Sequence, residues 1–168
     1  MEAKTPDTHK FQQDSGMTLQ QVYNFAYKRY ISLMQSLAKE LGEDGFLEAL
    51  ERASLQAAAH DTKEATKSIP RHDLAILTNW ARIPDPYMVQ RLTFDVVEDT
   101  ERAFEIRVTE CIWAKTFREA DAADLGYATE CHRDFATCQA FNPKIKLIRT
   151  KTLMQGDDCC NHRWVLED

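Results

Sequence analysis

The strongest chemical pattern in this chain is a cysteine two residues before a histidine, Cys160 and His162. In a β-strand, residues i and i+2 point to the same face, so the thiol and the imidazole would lie side by side. That pairing generates a reactive thiolate, and the same two groups are also metal ligands. Cys159 precedes Cys160, and strand alternation lets only one of the two face a cleft readily. Which cysteine does so stays open.

A second pattern lies on a predicted helix. Cys131, Asp134, Phe135 and Cys138 are spaced at i, i+3, i+4 and i+7, which places them on one face. Cys131 and Asp134 could therefore point together into a cleft. The same spacing also describes a core stripe with Asp134 at its edge, and the spacing leaves both interpretations open.

Further candidate residues lie at strand ends and on the last two predicted strands. Glu110 and Cys111 close one strand, where a carboxylate either lines a pocket or caps the strand in solvent. Arg149 and Arg163 could hold a substrate carboxylate by charge-assisted hydrogen bonds, or belong to a solvated sheet edge. A metal site has weak support, because no Cys-x-x-Cys motif is present and the ligands would come from four elements. The sequence requires no cofactor, and a divalent metal stays open.

The number and position of the cysteines predict free thiols rather than a disulfide framework. There are 5 of them, an odd number, and all follow residue 110. The N-terminus is polar, without the apolar segment of a secretion signal, and no run approaches the roughly 18 apolar residues of a membrane span. We therefore expect a cytoplasmic protein that does not contact a membrane.

Length, apolar content and net charge limit the classes of protein to which this chain could belong. The chain has 168 residues, 43% of them apolar, which is enough for about one domain with a true core. Lys plus Arg is 21 and Asp plus Glu is 27, a formal net charge of −6. This acidic balance argues against a nucleic-acid partner. We expect a loose tail over residues 1–16 and a single domain over 17–168.

The elements that position the candidate residues begin with helices. A capping box at Thr18 and apolar residues at steps of three and four predict an amphipathic helix that ends at Leu41. A second helix is predicted over residues 46–60, followed by a polar connector over 61–68. A third helix is predicted from about residue 70 to the prolines that follow residue 83.

In the second half of the chain, the spacing of the apolar residues changes from a helical period to strict alternation. Alternating apolar residues predict a hairpin of strands over 92–96 and 104–108. Helices are then predicted over 113–125 and 127–141, with Gly126 as a break, and strands over 144–154 and 160–166. The order predicts an α+β domain: an antiparallel sheet of about four strands, in two hairpins, covered by helices on one face, with an N-terminal helical segment.

The second half of the chain also resembles the L-2-amino-thiazoline-4-carboxylic acid hydrolase family. The matching stretches are Thr109–Cys111, Cys131–Phe135, Phe141–Pro143 and Thr150–Trp164, of which the run LMQGDDCCNHRW is the most specific. The resemblance implies that a thiazoline ring is opened to N-carbamoyl-L-cysteine. It therefore implies a small-molecule substrate that carries a carboxylate.

That reaction gives the candidate residues roles. The ring carbon between nitrogen and sulfur is electrophilic, and water or a thiolate adds to it before the C–S bond breaks. We expect Cys160 to be the nucleophile, His162 its acid–base partner, and Asp134 a general base or orienting carboxylate. The substrate-binding residues are predicted to be Cys111, Cys131, Glu110, Arg163 and Arg149. If a metal-activated water attacks instead, the cysteines become ligands or lining.

Other functions stay open alongside this one. A non-catalytic small-ligand-binding or redox/metal-sensing module could use the same scaffold, since a fold does not fix a function. A member of the same family could also act on a different small heterocycle or amide. The helix at residues 18–41 could pack within the domain or against a second subunit, so a homo-oligomer is a further expectation.

Overall fold

The computed structural model describes residues 16–83 and 85–168. The predicted tail therefore lies outside the described residues except for Gly16, and the division into tail and domain stays a prediction. The first helix, α1 (Leu19–Leu41), begins at the predicted capping box. The Gln21 backbone N–H donates to the Thr18 hydroxyl, and the Thr18 backbone N–H donates to the Gln21 side chain. Gly42 follows α1 with a φ of +90° and turns the chain into the next helix.

The second helix, α2 (Glu43–Thr66), is longer than predicted. The polar connector expected over residues 61–68 is wrong, because most of that segment is the last part of α2. Polar residues do not end a helix when no glycine or proline interrupts it. The Thr62 and Thr66 hydroxyls each donate to the carbonyl four residues earlier, which satisfies them inside the helix.

The predicted third helix is two short ones, α3 (Leu74–Leu77) and α4 (Asn79–Arg82), and a further short helix that was not predicted, α5 (Pro86–Val89), follows. None starts at Pro70. Asp73 caps α3 by accepting from the backbone N–H of Ile76, and Asp85 caps α5 in the same way. Side-chain caps therefore set the starts of α3 and α5.

Four antiparallel strands form one sheet in the order β1-β2-β4-β3. They are β1 (Leu92–Asp99), β2 (Ala103–Cys111), β3 (Ile145–Ile148) and β4 (Cys160–Leu166). The predicted third strand ends early, because the backbone N–H groups of Thr150 and Lys151 donate to the Asn161 side chain rather than to a neighbouring strand. The α+β class and the antiparallel sheet are confirmed.

Between β2 and β3 the chain is helical: α6 (Ile112–Glu119), α7 (Ala123–Gly126), a π-helical turn (Tyr127–Cys131) and α8 (Arg133–Phe141). The predicted break at Gly126 is wrong, since helical structure continues through it. The packing around Gly126 leaves no space for a side chain. An added Cβ would lie 2.6 Å from Phe117 Cγ and 2.7 Å from Met154 Sδ.

Helices cover one face of the sheet. Phe104, Ile106 and Val108 of β2 point into this layer and are almost fully buried, whereas the alternate residues Glu105 and Arg107 lie on the open face. A core cluster joins the covered face to α3, α4 and α8. Within the part of the chain that the structure describes, no helix has the length and apolarity to cross a bilayer.

Candidate functional site

A cavity of about 280 Å³ lies on the covered face of the sheet. Its walls come from β2, β4, the π-helical turn, α8 and the short helices before β1. Most of the lining is apolar or aromatic. The polar part contains six residues that the sequence analysis singled out: Cys111, Cys131, Asp134, Arg149, Cys160 and His162.

Arg149 organises the polar end of the cavity. Its side chain is only 2% exposed, and its Nη1 donates to Asp134 Oδ2 at 2.8 Å. The same Nη1 lies 3.1 Å from His162 Nε2, while Nη2 donates to the Cys131 carbonyl at 3.0 Å. A buried guanidinium needs such partners, because an unpaired charge in the interior is costly.

Arg149 also holds the His162 ring in place. A guanidinium N–H can only donate, so Nε2 is the acceptor at this contact. Nε2 also lies 3.5 Å from Asp134 Oδ2, and the His162 side chain is 14% exposed. The ring stacks on Trp164, with 5.6 Å between centroids. His162 is therefore held between a cation, a carboxylate and an indole.

The π-helical turn shapes the wall opposite β4. The His132 backbone N–H donates to the Tyr127 carbonyl five residues earlier, which is the π-helical bond. This turn carries Glu130 and Cys131, and α8 continues with Asp134, so all three side chains line the cavity. Single π-helical turns of this kind occur frequently at functional sites.

The thiols of the cavity are protonated at neutral pH. Burial raises the pKa of Cys131 to about 12 and that of Cys111 to about 11. Burial also raises the pKa of Cys160, although the backbone N–H of Leu153 donates to its sulfur at 3.2 Å and acts in the opposite direction. A reactive thiolate needs the reverse, a lowered pKa, so none of the three is poised as a free thiolate.

The structure shows which vicinal cysteine faces the cavity. Cys160 lines it, whereas Cys159 is buried elsewhere, with its sulfur 3.8 Å from Asp158 Oδ1. Cys138 also lies apart, in the core, where its thiol donates to the Ile145 carbonyl. Of the predicted helix face, Cys131 and Asp134 thus reach the cavity and Cys138 is a core residue.

Two predicted substrate-binding residues are not brought to this cavity. Arg163 lies on the open face of the sheet, where its Nε donates to Glu98 at 2.8 Å and lies 3.6 Å from Glu105. Strand alternation puts it opposite His162. Glu110 is exposed, accepts from the Thr93 hydroxyl, and lines a neighbouring surface cavity of about 500 Å³, which shares Leu92 and Cys111 with the first. We therefore leave Arg163 and Glu110 out of the site.

Sequence reasoning missed Glu130, Arg133 and the tryptophans Trp80 and Trp113, all of which line the cavity. Burial raises the pKa of Glu130, whereas a glutamate on the surface would not lose its hydration in this way. A signal was present, since Glu130 precedes Asp134 by four residues at helical spacing. The two tryptophans gave no comparable signal, because an aromatic residue on a helix is equally typical of a core.

The cavity side chains do not form a metal site. Across residues 16–83 and 85–168, no group of three or more histidine, cysteine or acidic side chains has a geometry that could hold a metal ion. Cys111, Cys131, Cys160 and His162 line the same space without meeting that condition.

Comparison with known proteins identifies a family. Residues 23–164 match the family model described as L-2-amino-thiazoline-4-carboxylic acid hydrolase. No curated protein matches the chain.

Several solved structures resemble the fold. The phenol-responsive sensory domain of the transcription activator PoxR, solved with phenol, is 12% identical with a TM-score of 0.51, covering 82% of this chain and 73% of that one. A trafficking protein particle complex subunit 3 from Naegleria fowleri, covalently bound to palmitic acid, is 12% identical with a TM-score of 0.49, over 87% and 95% of the two chains. An H-NOX protein mutant from K. algicida is 14% identical with a TM-score of 0.47, over 84% and 74%. At 12% identity, the likeness to the PoxR domain shows the fold alone.

Proposed function

The chain belongs to the L-2-amino-thiazoline-4-carboxylic acid hydrolase family, and from this premise we propose that the cavity around Arg149 binds and hydrolyses a small sulfur- and nitrogen-containing heterocycle with a carboxylate. The thiazoline of the family name is the substrate we propose, and N-carbamoyl-L-cysteine is its product. One observation carries the proposal. A small, largely apolar cavity contains a polar cluster, in which Asp134, Arg149 and His162 contact one another.

Arg149 supplies the cation for the substrate carboxylate. A guanidinium has five N–H donors, and the contacts to Asp134, His162 and Cys131 use three of them. The donors that remain can reach a carboxylate in the cavity through charge-assisted hydrogen bonds, which are roughly twice as strong as neutral ones. Arg133 lines the same cavity and adds positive charge.

Asp134 is the proposed general base. Its side chain is 42% exposed, so it lies where the cavity meets solvent, and it forms a salt bridge with the Arg149 guanidinium at 2.8 Å. Asp134 takes a proton from water as the water oxygen bonds to the ring carbon between nitrogen and sulfur. The C–S bond then breaks, the electron pair goes to sulfur, and Asp134 returns its proton to that sulfur. As the C=O bond forms, the second proton of the water passes to the ring nitrogen of a neutral amidine, or to solvent from a protonated one. His162, next to both groups, keeps Asp134 and Arg149 in position.

Water rather than a cysteine is the nucleophile in this proposal. The sequence analysis assigned that role to Cys160, yet burial raises the pKa of its thiol and leaves little thiolate at neutral pH. Cys160 instead forms part of the wall that contacts the substrate, together with Cys111 and Cys131.

Turnover of L-2-amino-thiazoline-4-carboxylate tests the proposal, with formation of N-carbamoyl-L-cysteine as the readout. We expect wild type to form it, Cys160→Ser to lose less than about tenfold in kcat, and the matched variant Cys159→Ser to be unchanged. Intact mass measured during turnover should show no covalent adduct. An adduct on Cys160 would contradict water as the nucleophile, and no product from wild type would contradict the hydrolase itself.

A second candidate function is a ligand-binding module without catalysis. The apolar and aromatic lining favours it, since such walls suit a small hydrophobic ligand. The PoxR sensory domain, which shares this fold, was solved with phenol. Binding of the thiazoline by wild type without any product would select this function over the hydrolase.

A further inference from the structure

Two carboxylates line the cavity from the same wall, and their surroundings differ. Glu130 ends the π-helical turn and Asp134 lies four residues later in α8. Asp134 has a salt bridge to Arg149 at 2.8 Å. Glu130 has no salt bridge within the part of the chain that the structure describes. Asp134 thus contacts a protein cation directly, whereas Arg133 acts on Glu130 without reaching salt-bridge distance.

The groups that face Glu130 come from two elements, α1 and α8. They are the Tyr27 and Tyr30 hydroxyls from α1, and the Arg133 guanidinium and the Asp134 carboxylate from α8. Burial is the largest influence and raises the pKa of Glu130, and the negative charge of Asp134 adds to it. Arg133 and Tyr27 act in the opposite direction without cancelling the burial. A cationic ligand in the cavity would supply the missing charge partner.

We propose that Glu130 binds the protonated amidine of the substrate and is the residue that selects a cationic ring over a neutral ring of the same shape. This inference rests on the proposed function for its site and adds a specificity-determining residue. An isothiourea is basic and retains its proton at neutral pH. Its N–H groups can donate to the Glu130 carboxylate while its own carboxylate accepts from Arg149, so the zwitterion spans the cavity between two opposite charges.

The same contact assists the hydrolysis. A carboxylate that accepts from the ring and amino N–H groups keeps the amidine protonated, and a protonated amidine carbon is the better electrophile for water. Glu130 therefore acts on the reacting group, whereas Arg149 acts on the distal carboxylate. When Glu130 is protonated in the free protein, binding of a cation releases that proton to the solvent.

A pair of inert ligands tests the proposal by calorimetry. 2-Aminoimidazoline-4-carboxylate is a cyclic guanidinium, and 2-oxoimidazolidine-4-carboxylate is the neutral urea of the same shape. We expect Glu130→Gln to weaken the guanidinium ligand about 10- to 100-fold and the urea ligand less than about threefold, since hydrogen bonds to charged groups are the stronger ones. The matched control Glu110→Gln, outside this cavity, should bind both as wild type does.

The pH dependence of ligand affinity is a second measurement. It would not change in the variant if Glu130 had a purely structural role. For wild type, affinity for the guanidinium ligand should fall as the pH is lowered through the titration of Glu130, because a proton must then be expelled. In Glu130→Gln this dependence should disappear. Equal losses for the two ligands in Glu130→Gln, no loss for either, or no binding of either ligand to wild type would overturn the inference.

The two proposals fail separately. If wild type hydrolyses the thiazoline but Glu130→Gln does not discriminate between the ligands, the role of Glu130 is wrong and the hydrolase stands. If wild type forms no product but Glu130→Gln loses the guanidinium ligand selectively, the hydrolase is wrong and the cation site stands.

Discussion

The two faces of the sheet place arginine in opposite surroundings. On the covered face, Arg149 follows β3 directly, is 2% exposed, and contacts Asp134, His162 and the Cys131 carbonyl. On the open face, Arg163 of β4 is 37% exposed and pairs with Glu98 and Glu105. The two residues looked equivalent in the sequence, and both were candidates for the substrate carboxylate. Burial, not residue type, separates the chemical site from a surface ion pair.

The largest expected effect in this comparison is that of Arg149→Met. The change leaves His162 Nε2 and the Cys131 carbonyl without their donor and Asp134 without its cation. Removing one partner of a buried pair typically costs about 3 kcal/mol or more in the free energy of unfolding. Urea denaturation measures it, and turnover should be lost as well. A loss as small as that of a surface arginine would contradict the importance of the network.

A smaller effect is expected where the covering helices pack most tightly. Gly126→Ala adds a methyl group that would lie 2.6 Å from Phe117 Cγ, closer than real contacts allow. Overpacking of this kind typically costs about 1–3 kcal/mol of unfolding free energy. Thermal denaturation measures it, with Gly45→Ala as the control, because a Cβ there meets nothing within 4 Å. Equal stability of the two variants would show that the layer can relax around Gly126.

The smallest effect is expected on the open face. Arg163→Met removes an ion pair that is partly exposed, and such pairs contribute little to stability because solvent screens them. Turnover should stay within about twofold of wild type, since this side chain lies outside the cavity. A large loss of turnover with unchanged stability would mean that Arg163 reaches the substrate after all.

Sequence patterns predicted the periodic parts of this molecule well. The capping box at Thr18 and the strand at Cys160–Leu166 were predicted because both depend on local spacing. Gly126 was misread because a glycine that lacks space for a Cβ looks the same as a helix breaker. The end of α2 was misplaced because polarity was taken as a helix stop.

The candidate site was partly within reach of the sequence. Cys131, Asp134 and His162 could be placed on cavity-facing positions from helix and strand spacing. The spacing of Glu130 to Asp134 was a signal, but its burial could not be predicted, because it depends on contacts with α1, which is distant in the chain. Strand alternation alone places Arg163 on the face opposite His162, but its partner Glu98, 65 residues away in the chain, could not be predicted.

The most direct test of the account is kcat for L-2-amino-thiazoline-4-carboxylate, measured side by side for wild type, Asp134→Asn and Asp158→Asn. Asp158 is the matched control, an exposed carboxylate paired with Lys151 and Arg107 away from the cavity. A positioned general base typically contributes about 100- to 10,000-fold, so Asp134→Asn should lose that much while remaining folded, and Asp158→Asn should stay within about twofold. Equal rates in the three proteins would contradict the account.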